Sequence, residues 1–312
     1  MSKEHTEKQY DMVLNWGLTL NCTLDCLYCI NKNEASRHIN SFDTTSLGKW
    51  LHNRKWHRKS KQYIPFIQNT EIDIPKVLYV LNNLGKTLRV RLTGGEPFLF
   101  NNFVRLCKEI TQKHYIDIES NLTVKQNAQI FCDTIDPKRV NDIRAAFHII
   151  ELEKKKLIDQ YIENFLYFKE KKFHITALTI AFPPIIKKIF QYKKILKTYN
   201  IDLISQPFIG YYNGKKYPLS YKHQDLNQLE LDSNNFSFIR KTKGQPCPVG
   251  VNFFVIYPSG DIHPCYQIYK KLGHINEGFK VSDKLTICPF EYCSCDPQVM
   301  DKNLFTKTIR KF

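Results

Sequence analysis

The tightest constraint on this chain is a run of three cysteines, Cys22, Cys26 and Cys29. They are spaced C-x₃-C-x₂-C directly after an apolar, β-branched stretch at residues 13–20. A reducing compartment keeps disulfide frameworks open, so cysteines clustered in this way point to metal binding or catalysis. Three thiolates on one compact loop can hold three irons of a four-iron cubane. No further cysteine occurs until Cys107, which leaves the fourth iron open to a small-molecule ligand. An open coordination site belongs to chemistry rather than to structural support. By spacing alone, zinc with a distant fourth ligand accounts for the same three residues.

Eight of the ten cysteines fall into two groups: the first three, then Cys247, Cys265, Cys288, Cys293 and Cys295. Cys107 and Cys132 stand alone in apolar-patterned segments and read as core residues. A chain of 312 residues suits one large domain with an appendage, or two modest domains. No run approaches the roughly 20 apolar residues of a membrane span. Residues 1–10 lack the apolar core of a secretory signal, so the expected location is cytoplasmic. The net charge of +16 fits either an affinity for nucleic acid or another polyanion, or drift in a chain rich in Lys, Asn and Ile. Residues 49–61 interleave aromatics with cations, as single-strand binders do. A solvated helix with Trp50 and Trp56 packed inward gives the same pattern, and is the favoured reading.

Six segments read as strands: 13–20, 88–92, 115–119, 143–149, 174–182 and 202–208. Helical patterns lie between them at 74–84, 103–114, 152–172 and 185–199. Alternation of this kind implies parallel pairing with right-handed crossovers. The expected fold is α/β, a partial (β/α)₆ barrel of the TIM type followed by a small cysteine-rich domain. Its boundaries fall at 1–210 for the barrel, 211–244 for a connecting segment and 245–312 for the last module. That module includes a hairpin, 252–257 and 261–264, turning at Pro258-Ser259-Gly260. In such barrels the chemistry sits on loops at the C-terminal ends of strands. The first cysteine group and Gly94-Gly95-Glu96-Pro97 follow strands one and two at that end.

The cysteine loop, with the aromatic Tyr28 just before its last cysteine, resembles the cluster-binding signature of the radical S-adenosylmethionine (SAM) superfamily. Gly94-Gly95-Glu96-Pro97 is similar to that family's GGE motif. The resemblance covers residues 12 to about 210. It implies a [4Fe–4S] cluster on Cys22, Cys26 and Cys29, with SAM at the open iron and Tyr28 near the adenine. It also implies that Gly94, Gly95 and Glu96 meet the methionyl amino group, and Ser120 and Asn121 the ribose or carboxylate. His148 and Glu151 flank the end of strand four, facing the expected cavity.

The second cysteine group, with the stretch 255–265 around Pro258-Ser259-Gly260-Asp261, resembles the SPASM and twitch extensions of the same superfamily. The resemblance implies an auxiliary [4Fe–4S] cluster. A full SPASM domain has more cysteines, so a shortened, twitch-like module fits better. Cys247, Cys265 and Cys288 are the expected ligands, and Cys293 and Cys295 compete for the fourth place. A zinc knuckle is the simpler alternative. The family further implies an external electron donor such as flavodoxin or ferredoxin. The substrate is not identified; the positive charge favours an anionic one, such as a sugar nucleotide or phosphorylated metabolite, and a peptide remains open. The reading from a different class is a non-catalytic, metal-stabilised nucleic-acid-binding protein using residues 49–61.

Overall fold

A computed structural model describes residues 9–29, 71–232, 241–268, 270–291 and 302–311. Cys293, Cys295 and the basic segment 49–61 lie outside the described residues. Elements are numbered as the described chain presents them.

Six parallel strands pair in sequence order: β1 (Met12–Thr19), β2 (Leu88–Gly94), β3 (Tyr115–Ser120), β4 (Val140–Ala146), β5 (Ile175–Ala181) and β6 (Leu203–Pro207). The helices between them are α1 (Ile74–Asn83), α2 (Phe103–Ile110), α3 (Lys125–Thr134), α4 (Ile149–Lys154), α5 (Ile158–Glu170) and α6 (Ile186–Thr198). This is the expected α/β architecture, a large parallel sheet consistent with a partial barrel and followed by a C-terminal region. Side chains alternate along each strand. Leu14, Trp16 and Leu18 of β1, Leu88, Val90 and Leu92 of β2, and Ile116 and Ile118 of β3 join one core with Val77 and Leu81 of α1. The opposite face carries Asn15, Arg91, Thr93, Asp117, Glu119 and Arg144. One face of the sheet is therefore apolar and helix-covered, and the other is polar.

After β6 a short antiparallel pair, β7 (Gly210–Tyr212) and β8 (Lys215–Tyr217), turns at Asn213-Gly214. The next strand, β9 (Pro246–Cys247), opens the C-terminal region. That region does not hang from the barrel as a separate sheet. Its strand β10 (Phe253–Ile256) pairs in parallel with β1, with Val13 opposite Phe253 and Trp16 opposite Ile256. Beyond it β11 (Asp261–His263), β12 (Gly273–His274) and β13 (Gly278–Phe279) run antiparallel, giving one ten-stranded sheet. The β10–β11 hairpin turns where Pro258-Ser259-Gly260 marks it. A second, smaller core joins Val13 to Val249, Phe253, Val255 and Cys265.

Three local expectations change. The long helix expected at 152–172 is two helices, α4 and α5, broken at Lys156, whose φ of 58° lies in the left-handed region. Strand four ends at Ala146 rather than Ile149, because α4 already starts at Ile149, with His148 in the flanking position. Helix α3 was not expected, since it has no side-chain N-cap to mark its start. Cys107 and Cys132 are buried core residues, and burial pushes the Cys132 thiol up to about 12. Among the described residues no helix is long and apolar enough to cross a membrane.

The ring of Phe131 on α3 sits against those of Phe98, Phe103, Phe168 and Phe173, at centroid separations of 5.7, 6.1, 6.0 and 5.6 Å. Phe131→Ala removes the shared member of this cluster and leaves a cavity. It is expected to cost about 3–5 kcal/mol, read as a lower denaturant midpoint with an unchanged m-value.

Candidate active site

The loop leaving β1 carries Cys22, Cys26 and Cys29, all half-buried. It closes on itself where the Cys29 N–H donates to the Cys26 carbonyl at 3.2 Å. Two N–H groups are directed at the Cys22 sulfur: the Leu24 amide at 3.5 Å and the Asn121 Nδ2 at 3.6 Å. Donors of this kind favour the thiolate form that a metal requires and tune a bound cluster. Among the described residues, no three His, Cys, Asp or Glu side chains gather in the arrangement a single metal ion takes.

The glycine motif is stitched to the root of this loop. The Gly95 N–H donates to the Thr19 carbonyl at 2.6 Å, and the Glu96 N–H to the Asn21 carbonyl at 2.7 Å. A Cβ at Gly94 would lie 2.4 Å from the Thr19 oxygen, and one at Gly95 would lie 2.1 Å from the Asn21 oxygen. Both glycines are needed for the backbones to touch. Glu96 is fully buried. Its Oε1 accepts from the Ser120 hydroxyl at 2.8 Å and the Phe98 amide at 3.1 Å, and its Oε2 accepts from the Asn121 amide at 2.8 Å. Burial pushes this carboxyl up to about 7, against the pull of those three donors. The carboxylate that the resemblance assigns to an ammonium is thus turned into the wall, where it ties the end of β2 to the end of β3. Ser120 is spent in the same contact and also accepts from the Leu122 amide at 2.9 Å.

Asn121 carries the tie forward to the cysteine loop. Its Nδ2 donates to the Thr23 hydroxyl at 3.0 Å, and its Oδ1 accepts from the Thr123 amide at 3.0 Å. On the other side, α4 and the turn after it grip the loop. The buried Glu151 Oε2 accepts the Asp25 N–H at 3.1 Å, and Lys155 Nζ donates to the Thr23 carbonyl at 2.6 Å. Tyr28 packs its ring against Phe182, 5.1 Å between centroids, and its hydroxyl lies 3.2 Å from His148 Nδ1. Burial lowers His148 to about 4 despite the nearby Glu119 and Glu151, so its ring is neutral at pH 7. Burial raises Tyr28, and the loop's acidic neighbours add to this, so the hydroxyl stays protonated. Tyr28 is then the donor and His148 Nδ1 the acceptor.

Sequence reasoning picked out Cys22, Cys26, Cys29, Tyr28, Gly94, Gly95, Glu96, Ser120, Asn121, His148 and Glu151, and the fold gathers them at one end of the sheet. It missed Thr23, Thr123 and Lys155. No motif marks them, although the polar run Ser120 to Thr123 at a strand end was a usable signal.

In the C-terminal region, β9 pairs with β14 (Thr286–Ile287), placing Cys247 opposite Thr286. Cys247, Cys265 and Cys288 line one cavity together with Gln267, Ile268 and Phe290. Its empty volume is about 290 Å³, part of it open to solvent.

No protein-family model matches the chain, and no curated protein does. Solved structures do. "Native anSMEcpe with bound AdoMet", a SPASM-domain radical SAM enzyme, aligns with a TM-score of 0.51 at 15% identity, covering 85% of this chain and 78% of that one. A histidine-tagged form of anSMEcpe, also with bound AdoMet, gives 0.52 at 14% identity over the same shares. The radical SAM enzyme SuiB of Streptococcus suis, bound to its precursor peptide SuiA, gives 0.51 at 16% identity, covering 86% of this chain and 63% of that one. The chain has the radical SAM fold.

The Glu96 geometry predicts a pH signature. The folded-state carboxyl titrates near 7, above the ordinary 4.5, so the native chain holds this proton more tightly than the unfolded one. Its contribution to stability is therefore most favourable below about pH 4.5 and is lost as pH rises through 7. Relative to Glu96→Gln, the parent chain is expected to lose roughly 1–3 kcal/mol between pH 4.5 and 7.5. Denaturant titrations at several pH values check the slope, and equal slopes for the two proteins would refute it.

Proposed function

We propose that the chain is a radical SAM enzyme, and the observation that carries this reading is the three-thiol loop locked to the glycine motif at the end of β1 and β2. Cys22, Cys26 and Cys29 would hold a [4Fe–4S] cluster. The donor set fits: three half-buried thiols on one loop, with N–H groups directed at one sulfur. When bound, such a cluster supplies the electron that cleaves SAM to methionine and a 5′-deoxyadenosyl radical, which takes a hydrogen atom from substrate. An external donor such as flavodoxin or ferredoxin would provide that electron.

The chain's own residues orient and enclose. Tyr28, braced by Phe182 and His148, offers an aromatic wall for the adenine. Asn121 offers its side chain at the loop, whereas Glu96 and Ser120 act at one remove as positioning residues. The backbone at Gly94 and Gly95 fixes the height of the loop over the barrel. The three thiols that share the C-terminal cavity support an auxiliary cluster on Cys247, Cys265 and Cys288, with Cys293 or Cys295 as fourth ligand. The working domain division is 1–210, 211–244 and 245–312. A net charge of +16 supports an anionic substrate.

Anaerobic reconstitution followed by iron, sulfide and product analysis tests the reading. About eight irons per chain are expected, falling to about four in Cys26→Ala. That variant should release no 5′-deoxyadenosine under reduction. Reductive cleavage that persists in it would sink the assignment, and one bound zinc with no sulfide would refute both clusters.

A further inference from the structure

Past the ends of β5 and β6, a tyrosine hydroxyl stands where a backbone hydrogen bond belongs. The two strands pair in parallel as far as Ala181 opposite Pro207. Proline has no N–H, so the next ladder bond falls due between the Phe208 amide and the Ala181 carbonyl. On the other flank of β5 the corresponding bond is direct. Beyond the last pair there, Ala146 and Leu178, the Phe147 N–H donates to the Leu178 carbonyl at 2.6 Å. Between β5 and β6 the bond is relayed. The Phe208 N–H donates to the Tyr221 hydroxyl at 2.9 Å, and that hydroxyl donates to the Ala181 carbonyl. Tyr221 is buried, and burial raises its phenol, so it keeps the proton that the relay needs.

The relay adjoins the aromatic wall of the candidate site. Phe182 follows Ala181 directly, and its ring lies 5.1 Å from those of Tyr28 and Phe208 alike. Phe182 and Phe208 thus stand on either side of one hydroxyl, and Phe182 passes their packing on to Tyr28. A direct bond from Phe208 to Ala181 would draw the two chain ends together and reset that packing. The Tyr221 ring is itself held, 4.9 Å from Tyr217, which lies 6.0 Å from Phe208. We propose that Tyr221 is a positioning residue for SAM: it sets the spacing of Phe182 and Phe208, and through Phe182 the seat of the Tyr28 ring against the adenine. The assignment rests on the enzyme reading above. Close packing transmits such a shift, because few voids exist to absorb it. Loss of the hydroxyl leaves a buried donor and a buried acceptor unpaired, so the chain ends must move to satisfy them.

Tyr221→Phe in the anaerobically reconstituted full chain tests this. Dithionite-driven release of 5′-deoxyadenosine is followed against SAM concentration, with iron counted in the same samples. The KM for SAM is expected to rise about three- to tenfold, with kcat held within about twofold and iron content unchanged. An unchanged KM, or a fall in kcat alone, would overturn the proposal. Phe182→Leu should raise the KM too, and the double variant no further than the larger single effect, because the two residues act in series. Additive increases would show that Tyr221 does not act through Phe182, and would also overturn it. Hydrogen exchange on the parent chain supplies a readout that needs neither turnover nor a folded variant. By linkage, SAM should slow exchange at the Phe208 amide more than across β10. Equal slowing at both places would count against the proposal decisively. A parent chain that neither binds nor cleaves SAM fails the enzyme reading, whereas one that cleaves SAM with the KM of Tyr221→Phe fails this proposal alone.

Discussion

The close backbone contact between the glycine motif and the end of β1 is the constraint from which the rest of the site is built. Two short hydrogen bonds, from Gly95 to Thr19 and from Glu96 to Asn21, extend the β1–β2 pairing past the end of the strands. They hold the first residues of the cysteine loop before any thiol is placed. Because a Cβ at either glycine would collide with backbone oxygen, the contact admits no ordinary side chain. Glu96 then reaches sideways into the end of β3, and Asn121 reaches from there back to Thr23 and Cys22. The loop, the glycine turn and the end of β3 form a closed circuit of polar contacts. Glu96 and Asn121 are buried and Cys22 and Thr23 half-buried, whereas Asn21 is exposed, so loosening Glu96 or Asn121 breaks bonds that water is poorly placed to replace.

The sheet also has a polar inner face. A parallel strand covered on both faces reads as a continuous apolar run. Here β2, β3 and β4 alternate, with Leu92, Ile118 and Ile143 outward and Arg91, Glu119 and Arg144 inward. The outer face alone supplies the hydrophobic core with the helices. The inner face carries polar and charged side chains instead, several of them tied down by Asp117 and Asp142.

Much of this was legible in the sequence, and the exceptions have physical reasons. The six strands and the cysteine loop stand out because period-two patterning and thiol spacing are local signals. The end of β4 was not local. Residues 147–149 are apolar or aromatic enough to continue a strand, but His148 is drawn to Tyr28 and Glu151 to Asp25, and these long-range contacts start a helix there. The chain breaks at Lys156, in the left-handed region, next to Lys155, whose Nζ reaches the Thr23 carbonyl. The inward turn of Glu96 was also hidden. An acidic residue beside two glycines suggests a ligand contact, and only the tertiary position of Ser120 and Asn121 reveals three protein donors waiting for it.

The placement of the C-terminal region was the least legible feature, and it bears on how the two cysteine groups relate. A short cysteine-rich segment with a hairpin suggests an appendage stapled by metal. Instead β10 adds to β1 in parallel, over four paired residues, and buries Val13 under Phe253 and Val255. Cys265 belongs to that same small core, just past β11, while Cys22 leaves β1 at its other flank. One strand therefore carries the loop of the first thiol group and pairs with the hairpin that leads to Cys265, whereas Cys247 and Cys288 lie on or next to the separate β9–β14 pair. Without the C-terminal region β1 would be an edge strand with apolar Val13 uncovered, a template for unwanted pairing. Cys265 thus rests on the barrel sheet for its position, and β1 rests on the C-terminal region for a covered edge. The two units are better regarded as halves of one sheet than as a catalytic domain with an accessory.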